Sequence, residues 1–166
     1  FNDVVLAGRG GSIHRASSGD GSWTSTITSL GTPTQNYEHR LFNFDGTDKI
    51  VITTATSNPQ ILNSSFSTSV VDATGTANFK FVEVFKNHIF FSGDASNKQQ
   101  ISFMGPNLTN DFTSNNGGGT IKVDTEIVGL KAFRDTLFIF GQDKIFKLTG
   151  TSSSNFAVQP VTRSIG

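Results

Sequence analysis
The stretch Phe81-Val82-Glu83-Val84-Phe85-Lys86-Asn87-His88-Ile89-Phe90-Phe91 decides the fold, because it reads as strand, short polar turn, strand, with Phe85 closing the first strand. The same grammar recurs on either side. Leu41-Phe42-Asn43-Phe44, Asp45 to Lys49 and Ile50-Val51-Ile52 precede it, and Leu130-Lys131-Ala132-Phe133, Arg134-Asp135-Thr136 and Leu137-Phe138-Ile139 follow it. Each unit continues through a polar turn into a third strand, at Ile61-Leu62, Ile101-Ser102-Phe103 and Ile145 to Leu148. At the start of the chain, Val4 to Ala7, Gly8-Arg9-Gly10-Gly11 and Ser12 to Arg15 give the outer hairpin of a preceding unit. Aligned at Val4, Ile50, Ile89 and Leu137, the units step by 46, 39 and 48 residues, the spacing of four-stranded propeller blades.

Fourth strands are expected in the linking segments, at Thr24 to Thr28, Val70-Val71, Ile121 to Val123 and Phe156 to Val158. The runs Ile50 to Ile52, Ile89 to Phe91 and Leu137 to Phe140 are continuously apolar where a half-solvated sheet would alternate, so each sheet is expected to be covered on both faces. The fold class is therefore all-β, a β-propeller built of four-stranded antiparallel blades, against a sandwich or jelly roll as the alternative. The chain divides as one domain into residues 1–34 (an outer hairpin plus linking strand), 35–69 (second blade), 70–116 (third blade) and 117–166 (fourth blade and the start of the next). The incomplete first unit and the abrupt ends lead to the expectation of a fragment of a larger propeller.

Composition agrees. Nineteen Ser, twenty Thr, thirteen Asn and 17 Gly among 166 residues suit strands and turns rather than helices. Thirteen basic and 13 acidic residues leave net charge +0, which removes the electrostatic footprint of a dedicated nucleic-acid or anionic-membrane binder. With no Cys, disulfides, thiolate metal sites and a Cys nucleophile are excluded. No apolar run approaches the roughly 20 residues of a membrane-spanning helix.

Catalytic chemistry finds few candidates. Ser17-Ser18-Gly19-Asp20-Gly21-Ser22-Trp23 resembles a shortened Asp-box, the turn of sialidase-type propellers, but occurs once and is one residue short; it reads as a turn with a packing Trp. Tyr37 is the one Tyr, and Arg9, Arg15, Arg40, Arg134 and Arg163 sit at unmatched places in the repeat, so no tyrosine nucleophile with anion-clamping arginines assembles from the pattern. Of the glutamates Glu38, Glu83 and Glu126, Glu83 stands out in an apolar strand, and is expected to pair with Lys or face a channel. His14, His39 and His88 are scattered and expected at surfaces or turns, without metal-ligand spacing. No Gly-x-Ser-x-Gly elbow is present, and Gly8 to Gly11 and Asn116 to Gly119 lack the ending that a phosphate loop needs. Asn63-Ser64-Ser65 and Asn107-Leu108-Thr109 match the glycosylation pattern at the rate so many Asn, Ser and Thr produce by chance. No catalytic, cofactor-binding or metal residue is assigned, and no cofactor.

From Phe79 to Gly166 the wording of the repeat, above all Phe81 to Gly93, Ile101 to Pro106, Ile127 to Asp135, Ile145 to Gly150 and Val161 to Gly166, resembles β-propeller structural proteins of tailed bacteriophages, of the tail nozzle (tail tubular) and packaged-DNA stabilisation kind. The first half matches only as a generic blade. The resemblance implies a non-enzymatic virion component of the tail or head-to-tail connection. Its partners would be copies of itself in a ring, neighbouring virion proteins, and genomic DNA that passes without sequence recognition, with no membrane span. Loops such as Asn107 to Thr120 and Thr151 to Asn155 would then carry assembly contacts. The alternative is a glycan-binding or sialidase-like propeller, with Trp23 and Tyr37 as sugar platforms. A scaffold of the Trp-Asp repeat type ranks last, since its dipeptides do not recur.

Overall fold
A computed structural model describes residues 4–16, 22–27, 30, 37–71, 78–106 and 112–162. Its strands fall into four antiparallel sheets in chain order. The first contains β1 (Leu6–Arg9), β2 (Ser12–Ala16) and β3 (Trp23–Ile27); the second contains β4 (Glu38–Phe42), β5 (Lys49–Thr53), β6 (Gln60–Asn63) and β7 (Thr68–Val70). The third holds β8 (Phe81–Phe85), β9 (His88–Ser92), β10 (Gln100–Met104) and β11 (Gly119–Lys122), with a short 3-10 helix at Ser114–Asn116 before β11. The fourth holds β12 (Ile127–Phe133), β13 (Thr136–Gly141), β14 (Ile145–Thr149) and β15 (Ala157–Thr162). Within every sheet each strand pairs with its sequence neighbour, a simple meander whose connections run from two residues to the 14 between Met104 and Gly119.

Turn chemistry sets the registers. Phe85 pairs with His88 across Lys86 and Asn87, both at positive φ (47° and 56°), a pairing that matches the twist of the flanking strands. Gly10 and Gly11 do the same between β1 and β2, at 56° and 84°. The expected fourth strands are present as β3, β7, β11 and β15. Two sheet boundaries differ from those read in the sequence. Val70 pairs with Gln60 and so belongs to the second sheet, and Gly119–Lys122 pairs with β10 and so belongs to the third, because the hydrogen-bond ladder runs back to the preceding strand.

Between the sheets lie three cores. Ile13, Leu30, Ile50, Ile52 and Leu62 fill the space between the first and second sheets; Phe42, Val51, Ile61, Val82, Phe91 and Met104 belong to the cluster between the second and third. Phe85, Phe90, Ile101, Phe103, Leu130, Leu137 and Leu148 belong to the cluster between the third and fourth. Ile50-Val51-Ile52 and all of β9 are buried, as their unbroken apolar character predicts. The expectation fails for Leu137 to Phe140: Leu137 and Ile139 are buried, whereas Phe138 is half-buried and Phe140 exposed. The physical reason is that, among the described residues, β13 is packed against a neighbouring sheet on one face only.

Candidate functional site at the inner strands
The first strands of successive sheets lie against one another, β4 on β8 and β8 on β12, so that they form an inner row from which the other strands fan outward. Alternation along each strand then decides which residues meet. Val82 and Val84 of β8 turn toward the second sheet, and Leu130 and Ala132 of β12 pack toward the third. The intervening residue at the middle of each strand is charged: Arg40, Glu83 and Lys131. Their register partners on the second strands are Val51, Phe90 and Phe138, equivalent places in three sheets.

These three side chains converge. Arg40 Nε donates to Glu83 Oε1 at 3.0 Å, and Lys131 Nζ stands 3.5 Å from Glu83 Oε2. The Glu83 side chain is only 6% exposed, Arg40 29% and Lys131 63%. Glu83 Oε1 also accepts from the Val84 amide at 3.1 Å, and Arg40 Nη1 donates to the His39 carbonyl at 2.7 Å. Glu83 Oε2 accepts no hydrogen bond among the described residues, so the Arg40 and Lys131 charges together oppose the desolvation of the carboxylate. Glu38 Oε2 adds a further bridge between blades by accepting from the Val82 amide at 3.3 Å. The pairing anticipated for Glu83 is thus present, with Arg40 as the closer partner.

At the rim, Lys86 of the β8–β9 turn meets Asp135 of the β12–β13 turn at 2.5 Å, and Lys144 meets Asp124 at the same distance. Each lysine holds its carboxylate below the ordinary value of 3.8 by donating a hydrogen bond. Lys49 does the same to Asp45 within the β4–β5 turn. All of these are structural pairings between or within turns.

The other sequence candidates disperse. Tyr37 lies on Gly8, where an added Cβ would come within 2.7 Å of its ring, and its hydroxyl accepts from the Gly11 amide at 3.0 Å. Arg15 sits over the Phe66 ring, Arg134 over Phe133, and Glu126 pairs with Lys98. Arg9 is exposed. His88 is a correction: it is buried against Phe156 (ring centroids 5.0 Å apart), its Nδ1 2.7 Å from the Lys86 carbonyl oxygen, because it opens a strand covered on both faces. Trp23 is a second, being half exposed at the start of β3 rather than packed. Residues 17–21, with Asp20, lie outside the described residues, as do Arg163 and the Asn107 to Asp111 part of the first loop singled out. Gly8 to Gly11 turn the β1–β2 hairpin, while Asn116 and Gly117 end the 3-10 helix. Asn63 Oδ1 caps its own turn by accepting from Ser65 and Ser67 amides. Among the described residues no group of three or more His, Asp or Glu could hold a metal ion, and no helix is long and apolar enough to cross a membrane.

Side-by-side four-stranded meanders with their first strands in one inner row are propeller blades. The fold is that of a β-propeller. Solved structures agree: BBS1N, determined in complex with ARL6DN, aligns over 98% of this chain and 51% of its own at a TM-score of 0.57 and 7% identity. PorZ, a bacterial surface component of the type-IX secretion system of Porphyromonas gingivalis, aligns over 99% and 20% at a TM-score of 0.56 and 14% identity. Hsv2 of Kluyvelomyces marxianus aligns over 94% and 44% at a TM-score of 0.54 and 13% identity. The chain spans about half or less of the length of these structures, and at such identities the likeness concerns the fold alone. No family model matches the chain, and no curated protein matches it by sequence.

Proposed function
We propose that the chain is a non-enzymatic structural part of a phage virion, a set of propeller blades in the tail or head-to-tail region that contributes to a ring or tube for genome retention and delivery. The resemblance of Phe79 to Gly166 to tail nozzle and packaged-DNA stabilisation proteins carries this reading. The inner row supports it: Arg40, Glu83 and Lys131 are engaged with one another across three blades, as a brace and not as a reaction centre. A rigid spacer needs such bracing. Net charge +0 is compatible with a passage that does not hold DNA strongly. Partners would be further copies of the chain and neighbouring virion proteins, met through turns such as Thr151 to Asn155.

Immunogold labelling of phage particles from the natural source, with antibodies raised against this chain, tests the reading. Label confined to the tail or its junction with the head is expected; intact particles and their opened forms that both remain unlabelled would refute it. The half-exposed Trp23 favours one alternative, a glycan-binding propeller. Specific retention on a glycan array that Trp23→Ala abolishes would put that reading first.

A further inference from the structure
Phe85–His88 and Phe133–Thr136 close hairpins of the same two-residue form, and the cores on the two sides of the third sheet are both built chiefly of Phe and branched aliphatic residues. Apolar contact has no direction, so little in these cores tells one sheet from the next. The inner strands differ most at their equivalent middle positions, where Arg40, Glu83 and Lys131 alternate in sign. Stability alone does not account for these charges. The Glu83 side chain is 6% exposed, its Oε2 accepts no hydrogen bond among the described residues, and the lysine 3.5 Å away is 63% exposed. Shutting such a carboxylate away from water costs about as much as its partners return, and apolar side chains of similar volume would fill the place as well or better.

We propose that Arg40, Glu83 and Lys131 act as a charge code that sets the order and register of the blades without adding net stability. The code works by penalising other arrangements. Sliding β8 by two residues along β4 keeps its apolar residues on the same faces, but it carries Glu83 roughly 7 Å from Arg40 and sets Phe81 or Phe85 in its place. Exchanging β8 with β12 brings Arg40 against Lys131 and leaves Glu83 with the more exposed of its two partners. The rim pair Lys86–Asp135 joins the third and fourth sheets as well, yet Asp135 is 90% exposed, and water screens any penalty there. Loss of one member of the triad is costly because it orphans a buried charge; loss of all three together is not.

The test replaces the triad in the full chain as Arg40→Met, Glu83→Leu and Lys131→Met. A second set, Arg40→Leu, Glu83→Met and Lys131→Leu, ensures that one misfitting side chain does not decide the result. The urea midpoint is expected to stay at or above that of the parent, while the Val82 to Val84 amides split into more than one resonance. Bismaleimide closure of Lys86→Cys with Asp135→Cys, added to each set, should fall by about threefold relative to the same pair in the parent, as arrangements of near-equal energy share the population. A single resonance set with undiminished closure, at an unchanged or raised midpoint, overturns the proposal, since order and register then need no charge. A lowered midpoint or unfolding in both sets overturns it equally, since the triad then supplies stability.

Discussion

Glu83 is held by unlike partners, and the difference predicts unlike costs. Its bond to Arg40 is short, and its carboxylate is shut away from water, so Arg40→Ala leaves a buried charge with one exposed lysine for company. We expect a loss of about 3 kcal/mol in urea unfolding, as for other broken buried pairs. Lys131→Ala removes a mostly exposed partner at 3.5 Å and should cost less than about 1 kcal/mol. Equal losses for the two variants would contradict the geometry. Gly141 gives a second test, since a Cβ there would lie 2.1 Å from Thr125 Cγ2. Thr125 is buried and its Oγ1 donates to Asp143 at 2.5 Å, so it has little room to move. Gly141→Ala should destabilise by about 1–3 kcal/mol, and Thr125→Ser, which deletes that methyl, should recover part of it.

Elements meet at their turns, and the turns respond to pH. Asp124 and Asp135 are held below the ordinary carboxylate value of 3.8 by hydrogen bonds from Lys144 and Lys86. Since the folded chain binds those protons more weakly than the unfolded one, the stability they contribute is present above that value and lost as pH falls through it. Lys144 is raised above 10.5 by Asp124, so its contribution is present below that value and lost as pH rises beyond it. The melting midpoint should therefore decline below about pH 4, and Lys144→Met with Lys86→Met should flatten that decline; an unchanged acid slope would disconnect the pairs from folding. Strands followed by a clear turn were legible from sequence, because Phe85 and Phe133 stop at two-residue turns that local chemistry specifies. Outer strands were fainter: β7 is exposed throughout and β11 alternates, so neither carries the apolar run that announces β9. The inner brace was half visible. A glutamate amid Phe and Val asks for a counter-charge, but choosing Arg40, 43 residues earlier in the chain, needs the stacking of blades, which no local pattern states.

At the scale of the molecule, the blades stand in chain order, second beside third and third beside fourth, each pair packed through its own core. Ring-stacked Phe90 and Phe103, whose centroids lie 5.3 Å apart, anchor the last of these cores. Phe90→Ala should cost about 3–5 kcal/mol in chemical unfolding, beyond any single turn variant. The absence of cysteine makes the order itself measurable, because any introduced pair supplies the only thiols. Lys86 and Asp135 meet across neighbouring blades, whereas Asp45 and Asp135 belong to blades with the third between them. The deciding measurement is intramolecular cross-linking by a short bismaleimide of Lys86→Cys/Asp135→Cys against Asp45→Cys/Asp135→Cys, read by peptide mass mapping. Efficient closure of the first pair and little of the second is the predicted result; equal closure of both, or failure of the first, would contradict that blade order.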